Sequence, residues 1–437
     1  MSFSKYQKAL RNTTVDLVLG GQWGDEGKGK KTNDASQKHS YSLCGRFNGG
    51  PNAGHTIYLV LNEQRIKVVT HHIPTGFASV TDTKDGIESL IGGGCVVALD
   101  GDRSLGKELK NILGKIKRGN EYATRFLKVA YNAHVITEKH IETDSKDTDI
   151  GTTRSGIGPT YAAKANRTTA TRVEDVMVSE IPSQIPTEAL TKSPGHKGWL
   201  ILKDCENVPL EVVDPVDFWV GRASELPDGK KYEVLLEAGQ GFKLDIDWAY
   251  KYPYNTSSGC GTPSAANFGI PMCCFRDVTT VYKIYETYVG AWTDYQPDDP
   301  EMKNLLMILA ILGHEFGATT GRPRMTNWFR LRDYVRCVTI WGSNSILVNK
   351  CDILEEYLSL TSDELEERYS ALTPAQRREL EKICPNLDLS VPRKLYYYDM
   401  EDQLQEVATV DELIDIIKEH TLDLVNVYKF SYSPDHI

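Results

Sequence analysis

The chain has 437 residues, 40% of them hydrophobic and 25% charged, with a formal net charge of −10. This is an ordinary globular composition with ample material for a core, in one large domain or two to three small ones. The negative balance argues against nucleic acid or an anionic membrane as a general partner. No apolar run reaches spanning length, and nine cysteines without metal-ligand spacing read as the reduced thiols of a cytoplasmic protein.

Residues 1–14 form a polar N-terminal extension with no apolar stretch of the kind a signal peptide needs. Val15–Leu19, broken only by Asp16, reads as a mostly buried strand. Five glycines and three lysines follow between Gly20 and Lys31. A strand running into a Gly/Lys loop and then a helix suits phosphate, because glycines admit backbone N–H groups to the anion and the helix adds its positive end. Gly24-x4-Gly29-Lys30 fits the common phosphate-loop pattern, but Lys31 stands where a Ser or Thr would ligate Mg²⁺. Asp25 is the candidate oxygen ligand in its place. The alternative is a surface Gly/Lys turn with solvated charges.

Cys44–Thr56 is a second glycine-rich turn carrying Asn52, Gly54 and His55. Ile57–Leu61 and Ile66–Thr70 read as a strand pair joined by a tight turn at Asn62–Gln64. Cys95–Leu99 is a further buried strand, and the pattern from Asp102 to Arg125 is helical and basic. A third turn, rich in hydroxyls, runs from Gly151 to Tyr161. Residues 170–230 read as an irregular helical subdomain. Val234–Ala238 is a strand ending in Gly239-Gln240-Gly241, and Val281–Val289 fits either strand or helix. Val338–Trp341 and Ile346–Val348 read as late strands. In the tail, Thr361/Glu364 and Thr409/Glu412 form capping boxes, and Thr373-Pro374 opens another helix.

Strands that repeatedly end in Gly/Thr/Asn loops, separated by helical stretches, predict an α/β fold. Its sheet is large, central and mostly parallel, with surrounding helices, and ligands bind beyond the carboxyl ends of the strands. Residues 15–437 read as one large domain, with a helical subdomain around 102–230 and a C-terminal helical region around 345–437.

Three constellations carry chemistry. Asn349-Lys350-Cys351-Asp352 follows a strand, and a carboxylate there can accept from guanine N1–H and the 2-amino group, which adenine does not offer. Gly317–Arg324 combines Thr319 and Thr320 with Arg322 and Arg324, whose forks suit carboxylates and phosphates. Asp25 and His55 could form an acid/base pair, with His55 at the end of a glycine loop a candidate phosphate contact.

The segments GGQWGDEGKGK, NAGHT, GTTRSGIGPTY, LDID…YPYNTSS, EFGATTGR and NKCD, in that order, resemble the adenylosuccinate synthetase family. The resemblance implies a single large α/β fold related to phosphate-loop proteins and a homodimer. It implies a reaction that joins IMP to L-aspartate, driven by GTP with Mg²⁺ through a 6-phosphoryl intermediate. On that resemblance Asp25 is the base at N1 of IMP and His55 meets the oxygen between the β- and γ-phosphates. Asp25 and the Gly54 carbonyl hold the metal. Glu26, Gly27, Lys28, Gly29, Lys30, Arg324, Lys350, Asp352, Ser431 and Ser433 belong to the GTP site. Asn52, Thr153, Gln240, Thr256 and Arg322 belong to the IMP site, with Gln240 also catalytic, and Arg167 reaches it from the partner subunit. Thr319, Thr320, Arg322 and Arg324 hold aspartate.

The chain departs from the family at Tyr288, normally arginine, at Trp292–Tyr295, at Gly259–Gly269, at Lys31-Thr32 and at Ser433. The first three lie where purine, ribose and the aspartate loop meet. A sister ligase acting on another purine nucleotide such as dGMP is therefore the alternative, although Asp25 is retained. A GTP-binding switch would instead call for a hydroxyl after Lys30 and a DxxG motif, and neither is present.

Overall fold

A computed structural model describes residues 2–146, 152–167, 169–182, 192–249, 252–290, 295–316, 323–421 and 425–429. Two compact units emerge: Met1–Leu19 with Gly27–Val278, and Gly20–Glu26 with Thr279–Ile437.

In the first unit the strand order is Thr13–Gly20, Tyr232–Gly241, Leu43–Arg46, Ser89–Ile91, Leu127–Ala130, Val208–Val213 and His196–Leu202. From Tyr232–Gly241 to Val208–Val213 the neighbours pair in parallel, and His196–Leu202 runs antiparallel to Val208–Val213. Thr13–Gly20 is buried almost throughout. Its one carboxylate, Asp16, tolerates burial because Arg276 grips both oxygens, at 2.9 and 2.6 Å, and the Tyr41 hydroxyl donates to one of them at 2.7 Å. The strands His55–Leu61 and Gln64–Thr70 form a hairpin. Its turn is two residues, not three: Asn62 and Glu63 both take positive φ (49° and 63°), the backbone that matches strand twist. Ile57, Leu59, Phe77, Leu109 and Val129 are buried in the core of this unit.

In the second unit Phe275–Lys283, Ser345–Asn349 and Asn426–Lys429 pair in parallel. A second, four-stranded sheet holds Tyr285–Tyr288, Met325–Arg330, Leu395–Tyr398 and Leu404–Val407. The α/β class with mostly parallel strands is as expected, and the segment open to either reading, Val281–Val289, holds two strand pieces, the end of Phe275–Lys283 and then Tyr285–Tyr288, in different sheets.

Three expectations are corrected. Residues 170–230 are not a helical subdomain throughout, because two antiparallel strands, His196–Leu202 and Val208–Val213, run through them. Gly198, Pro209 and Glu211 hide those strands in the sequence. Glu211 stays buried because Lys128 (3.3 Å), His196 (2.9 Å) and Ser193 satisfy it. Val338–Trp341 is the end of a helix, Leu331–Trp341, whose buried Leu331, Tyr334, Cys337, Val338 and Trp341 recur at helical spacing. The first 14 residues are not a mere extension. Phe3–Asn12 is a helix that turns Ala9 inward, and the first strand already begins at Thr13.

In the tail, Thr361/Glu364 closes a reciprocal capping box, as does Thr373 with Gln376. Thr409 caps its helix through the Glu412 N–H, while Glu412 reaches back to Ala408.

Candidate functional site

Within the second unit the glycine loop is shaped by its own acid. Glu26 is fully buried, and its Oε1 accepts from the N–H groups of Gln22 (3.0 Å) and Gly24 (2.9 Å). The loop is thereby closed on a carboxylate, which turns the exposed Asp25, at φ 60°, outward. Gln22 ties the loop to the neighbouring chain through the Lys283 carbonyl (3.0 Å) and the Lys283 N–H (2.9 Å).

Asp25 faces an arginine. Arg324 Nε lies 2.8 Å from Asp25 Oδ2, with its N–H directed off the line between them, so the contact is ionic more than hydrogen-bonded. Arg324 Nη1 donates to Glu315 Oε2 at 2.9 Å. Glu315 also takes Lys283 Nζ on both oxygens (3.0 and 2.9 Å) and the Tyr285 hydroxyl (2.8 Å). Burial alone would raise the Glu315 pKa, but Lys283, Lys350 and Arg324 hold it far below the usual carboxylate range. Arg324 is thus anchored at one edge and presents the other to Asp25.

In the first unit the helix Lys28–Lys38 begins at Gly27, whose φ of 102° no other residue adopts cheaply. Gly27 has no side chain with which to cap this N-terminus, and such helix ends have anion-binding character. Lys28 and Gly29 are buried in that turn, with Lys30 half-buried beside them. His55 packs directly on Gly29, where a Cβ would stand 2.7 Å from His55 Cβ.

The His55 ring is oriented by a buried ion pair. Arg46 and Glu237 are register partners on adjacent parallel strands, and Arg46 Nη2 donates to Glu237 Oε1 at 2.8 Å. His55 Nδ1 lies 3.2 Å from Glu237 Oε2 and 3.3 Å from Arg46 Nη2. A carboxylate can only accept, so the tautomer that satisfies the His55–Glu237 contact is the one with its proton on Nδ1. Nε2 is buried and without a protein partner. Burial, and then Arg46, press the His55 pKa down from 6.5 to about 4, with Glu237 opposing. Glu237 itself, which burial would raise, is held far below its usual range by Arg46 and His55. The result is a neutral imidazole with an open ring nitrogen, able to receive a proton when an anion arrives.

Gln240 and Asn52 belong to a short run of amides. Gln240 Nε2 donates to Asn52 Oδ1 at 3.4 Å, and Gln240 Oε1 accepts from Asn48 Nδ2 at 2.9 Å. Gly54 is exposed, and a Cβ there would meet only His71 Cε1, 4.0 Å away. Among the described residues no three His, Cys, Asp or Glu side chains gather as a metal centre.

The NKCD segment closes the strand Ser345–Asn349 and opens the helix Cys351–Ser359, with Lys350 at φ 67°. Asn349 Nδ2 donates to the Glu26 carbonyl at 3.1 Å, which joins this segment to the glycine loop. Lys350 Nζ donates to the Gly313 carbonyl at 2.9 Å. Asp352 Oδ1 is buried without a hydrogen-bond partner among the described residues.

The remaining expected residues are placed separately. Thr153 is exposed and bonds Ser155 at 3.1 Å. Arg167 is exposed at φ 67° just past the helix Ile157–Asn166. Thr256 is half-buried and held through its N–H to the Leu244 carbonyl at 2.7 Å. Thr319, Thr320, Arg322, Ser431 and Ser433 lie outside the described residues, as do Trp292–Asp294 of the divergent segment. Of that segment Tyr288 and Tyr295 are described. Their rings pack on Trp23, with centroids 5.1 and 6.0 Å away, over Glu286, which accepts from Trp23 Nε1 at 3.2 Å.

Sequence reasoning missed Arg46, Asn48, Glu237, Lys283 and Glu315. A signal existed for the charged ones: Arg46 in LCGRF, Glu237 in VLLEAG and Lys283 in VYKIY are lone charges in apolar runs, and a charge kept in a buried strand has a partner.

Comparison with known proteins completes the picture. Residues 17–390 match the family described as adenylosuccinate synthetase. The chain is 32% identical over 402 residues to the adenylosuccinate synthetase of Paramecium tetraurelia, covering 87% of this chain and 86% of that one. It is 33% identical to that of Caenorhabditis elegans over 376 residues, covering 79% and 75%. Among solved structures, the fully ligated Plasmodium falciparum adenylosuccinate synthetase superposes with a TM-score of 0.59 at 22% identity, over 86% of this chain and 98% of that one. The cyanophage S-2L succinoaminodeoxyadenylate synthetase, bound to dGMP and dATP, superposes with a TM-score of 0.55 at 18% identity, over 94% and 99%. No helix among the described residues is long and apolar enough to cross a membrane. With a family match over residues 17–390 and relatives of that family covered to between three quarters and nine tenths of their length, this chain belongs to the adenylosuccinate synthetase family of GTP-dependent, purine-nucleotide carbon–nitrogen ligases.

Proposed function

We propose that the protein ligates L-aspartate to IMP, with GTP converted to GDP and phosphate and adenylosuccinate as product. Asp25 removes the N1 proton of IMP, which makes O6 a nucleophile. O6 attacks the γ-phosphorus of GTP as the bond to the β–γ bridging oxygen breaks. The aspartate amino group then adds at C6, and phosphate leaves with O6. An amide-type oxygen is a poor leaving group, and phosphorylation makes it a good one.

The observation that carries this reading is His55, seated on Gly29 of the glycine loop with Nδ1 committed to Glu237 and Nε2 open. Once protonated at Nε2, a ring held that way can donate to the charge developing on the bridging oxygen. Mg²⁺, held by Asp25 and the Gly54 carbonyl, would neutralise the phosphate oxygens. Glu26 to Lys30 and Arg324 serve the GTP phosphates, and Lys350, Asp352, Ser431 and Ser433 the guanine. Asn52, Thr153, Gln240, Thr256 and Arg322 serve IMP, with Arg167 donated across a homodimer. Thr319, Thr320, Arg322 and Arg324 take the aspartate carboxylates. Residence in the cytoplasm fits nine cysteines that form no disulfide among the described residues, with Cys273 exposed and the others buried.

A second reading is a sister ligase acting on dGMP. It draws on the aromatic cluster of Tyr288 and Tyr295 on Trp23, where the family resemblance calls for an arginine at 288. The test is a substrate panel of IMP, dIMP, GMP and dGMP with Mg²⁺, GTP and aspartate, with products read by mass spectrometry. Succinylated IMP is expected, and product from guanine nucleotides alone would replace the first reading by the second. In Asp25→Ala, ligation should be abolished while nucleotide binding survives; full turnover would remove Asp25 from the base role.

A further inference from the structure

A side-chain carboxamide can turn over and exchange its donor for its acceptor. Asn48 is barred from doing so by two backbone groups. Its Oδ1 accepts the Gly239 N–H at 2.8 Å, and its Nδ2 donates to the Gly259 carbonyl at 2.9 Å. An N–H cannot accept and a carbonyl cannot donate, so the orientation of Asn48 is set by the chain itself. The same Nδ2 donates to Gln240 Oε1 at 2.9 Å, which obliges Gln240 to send its Nε2 the other way. There one hydrogen goes toward Asn52 Oδ1, at 3.4 Å. Asn48 is 3% exposed and Gln240 5%. A turned-over Gln240 would set N–H against N–H with no water between them. Gly49, at φ 83°, keeps the space beside Nε2 clear, since a Cβ there would stand 2.7 Å from that nitrogen.

We infer that Asn48 is a specificity-determining positioning residue: by fixing Gln240 as a hydrogen-bond donor, it makes the site select purine nucleotides with an acceptor at position 6 and reject those with an amino group there. The inference rests on the proposed contact of Gln240 with the purine nucleotide. It does not depend on which 6-oxopurine is bound, because hypoxanthine and guanine both offer O6. Adenine would set its 6-amino hydrogens against the Nε2 hydrogens, and an unsubstituted C6 would leave them unmet. Asn48 acts only through Gln240.

The test is equilibrium binding to the full chain by calorimetry, using IMP, dGMP, AMP and purine-riboside 5′-monophosphate, which has hydrogen at C6. The wild-type chain should bind its 6-oxo ligand at least about tenfold more tightly than either of the other two kinds. Equal affinity for 6-oxo and 6-amino ligands would overturn the inference without any variant. In Asn48→Leu, Gln240 is released, and the preference should fall to within about threefold. In Asn48→Asp the carboxylate accepts from Gln240 Nε2, which presents Oε1 to the ligand, and the preference should reverse. Thermal unfolding accompanies each variant, and the ratio of affinities is a readout that a general loosening of the site does not invert. Folded variants that keep the wild-type ratio would refute the role of Asn48. If the chain ligates aspartate to dGMP and not to IMP, the substrate reading fails while the 6-oxo preference stands. If it ligates IMP and both variants keep the wild-type ratio, only the inference fails.

Discussion

Glu237→Gln removes one charge and almost no volume from the centre of the first unit. The native carboxylate collects Arg46 Nη2 at 2.8 Å, the Thr75 N–H at 2.9 Å and His55 Nδ1 at 3.2 Å. With its pKa near 4, His55 carries a second proton at pH 7 in about one molecule in a thousand, so about 4 kcal/mol separates it from the imidazolium. The charge of bound phosphate has to supply that difference, and Glu237 is the protein group that assists. Exchanging a charge-assisted hydrogen bond for a neutral one forfeits about 1.5 kcal/mol, a little over tenfold in rate, and a lost tautomer adds to it. The expected result is kcat lower by ten- to hundredfold, with KM for GTP within about threefold. Stability should fall as well, by about 3–5 kcal/mol, because Arg46 is left as a buried unpaired charge. The paired change Arg46→Met with Glu237→Leu separates the two effects: urea unfolding should recover much of the stability while kcat stays low. Steady-state kinetics with an unshifted pH profile and kcat within twofold of the parent would refute this reasoning.

Three other outcomes are expected. The folded His55 titrates near 4 against 6.5 when unfolded, so between those values the unfolded chain binds the proton. Stability therefore falls with acid, by about 2 kcal/mol from pH 7 to 5, and His55→Asn should flatten that part of the urea-midpoint profile. Gly29→Ala drives a methyl into His55 Cβ, and should cost about 1–3 kcal/mol of stability and at least tenfold in kcat; an unaltered kcat would show that His55 need not sit there. Asp352→Asn should erase most of the preference for GTP over ATP in competition assays, since a neutral amide cannot accept twice from guanine; retained selectivity would move base reading elsewhere.

Much of the fold was legible where the signals are local. The Thr13–Gly20 strand, its glycine loop, the hairpin from His55 to Thr70 and the tail caps depend on residues a few positions apart, and alternation or i,i+3 spacing exposes them. The strands between His196 and Val213 are masked by a proline, a glycine and a buried glutamate, and the last four residues of the helix Leu331–Trp341 alone, about one turn, look like an apolar strand. In the candidate site, motif position named Asp25, His55, Gln240 and Asp352. What holds them could not be read the same way. Arg46 and Glu237 are 191 residues apart, and only the register of two parallel strands makes them neighbours. Asn48 and Gln240, 192 apart, meet for the same reason.

Glu26 is engaged at both ends, its carboxylate on the amides of Gln22 and Gly24 and its carbonyl on Asn349. The strand end that carries NKCD and the loop that presents Asp25 are therefore tied together. If the base is read at Asp352, a nucleotide that seats its base poorly also missets the carboxylate that starts the reaction. Such a nucleotide would occupy the site and stall there. Discrimination would then be written into turnover more than into affinity, and the wrong nucleotide would behave as a competitive inhibitor and not as a slow substrate.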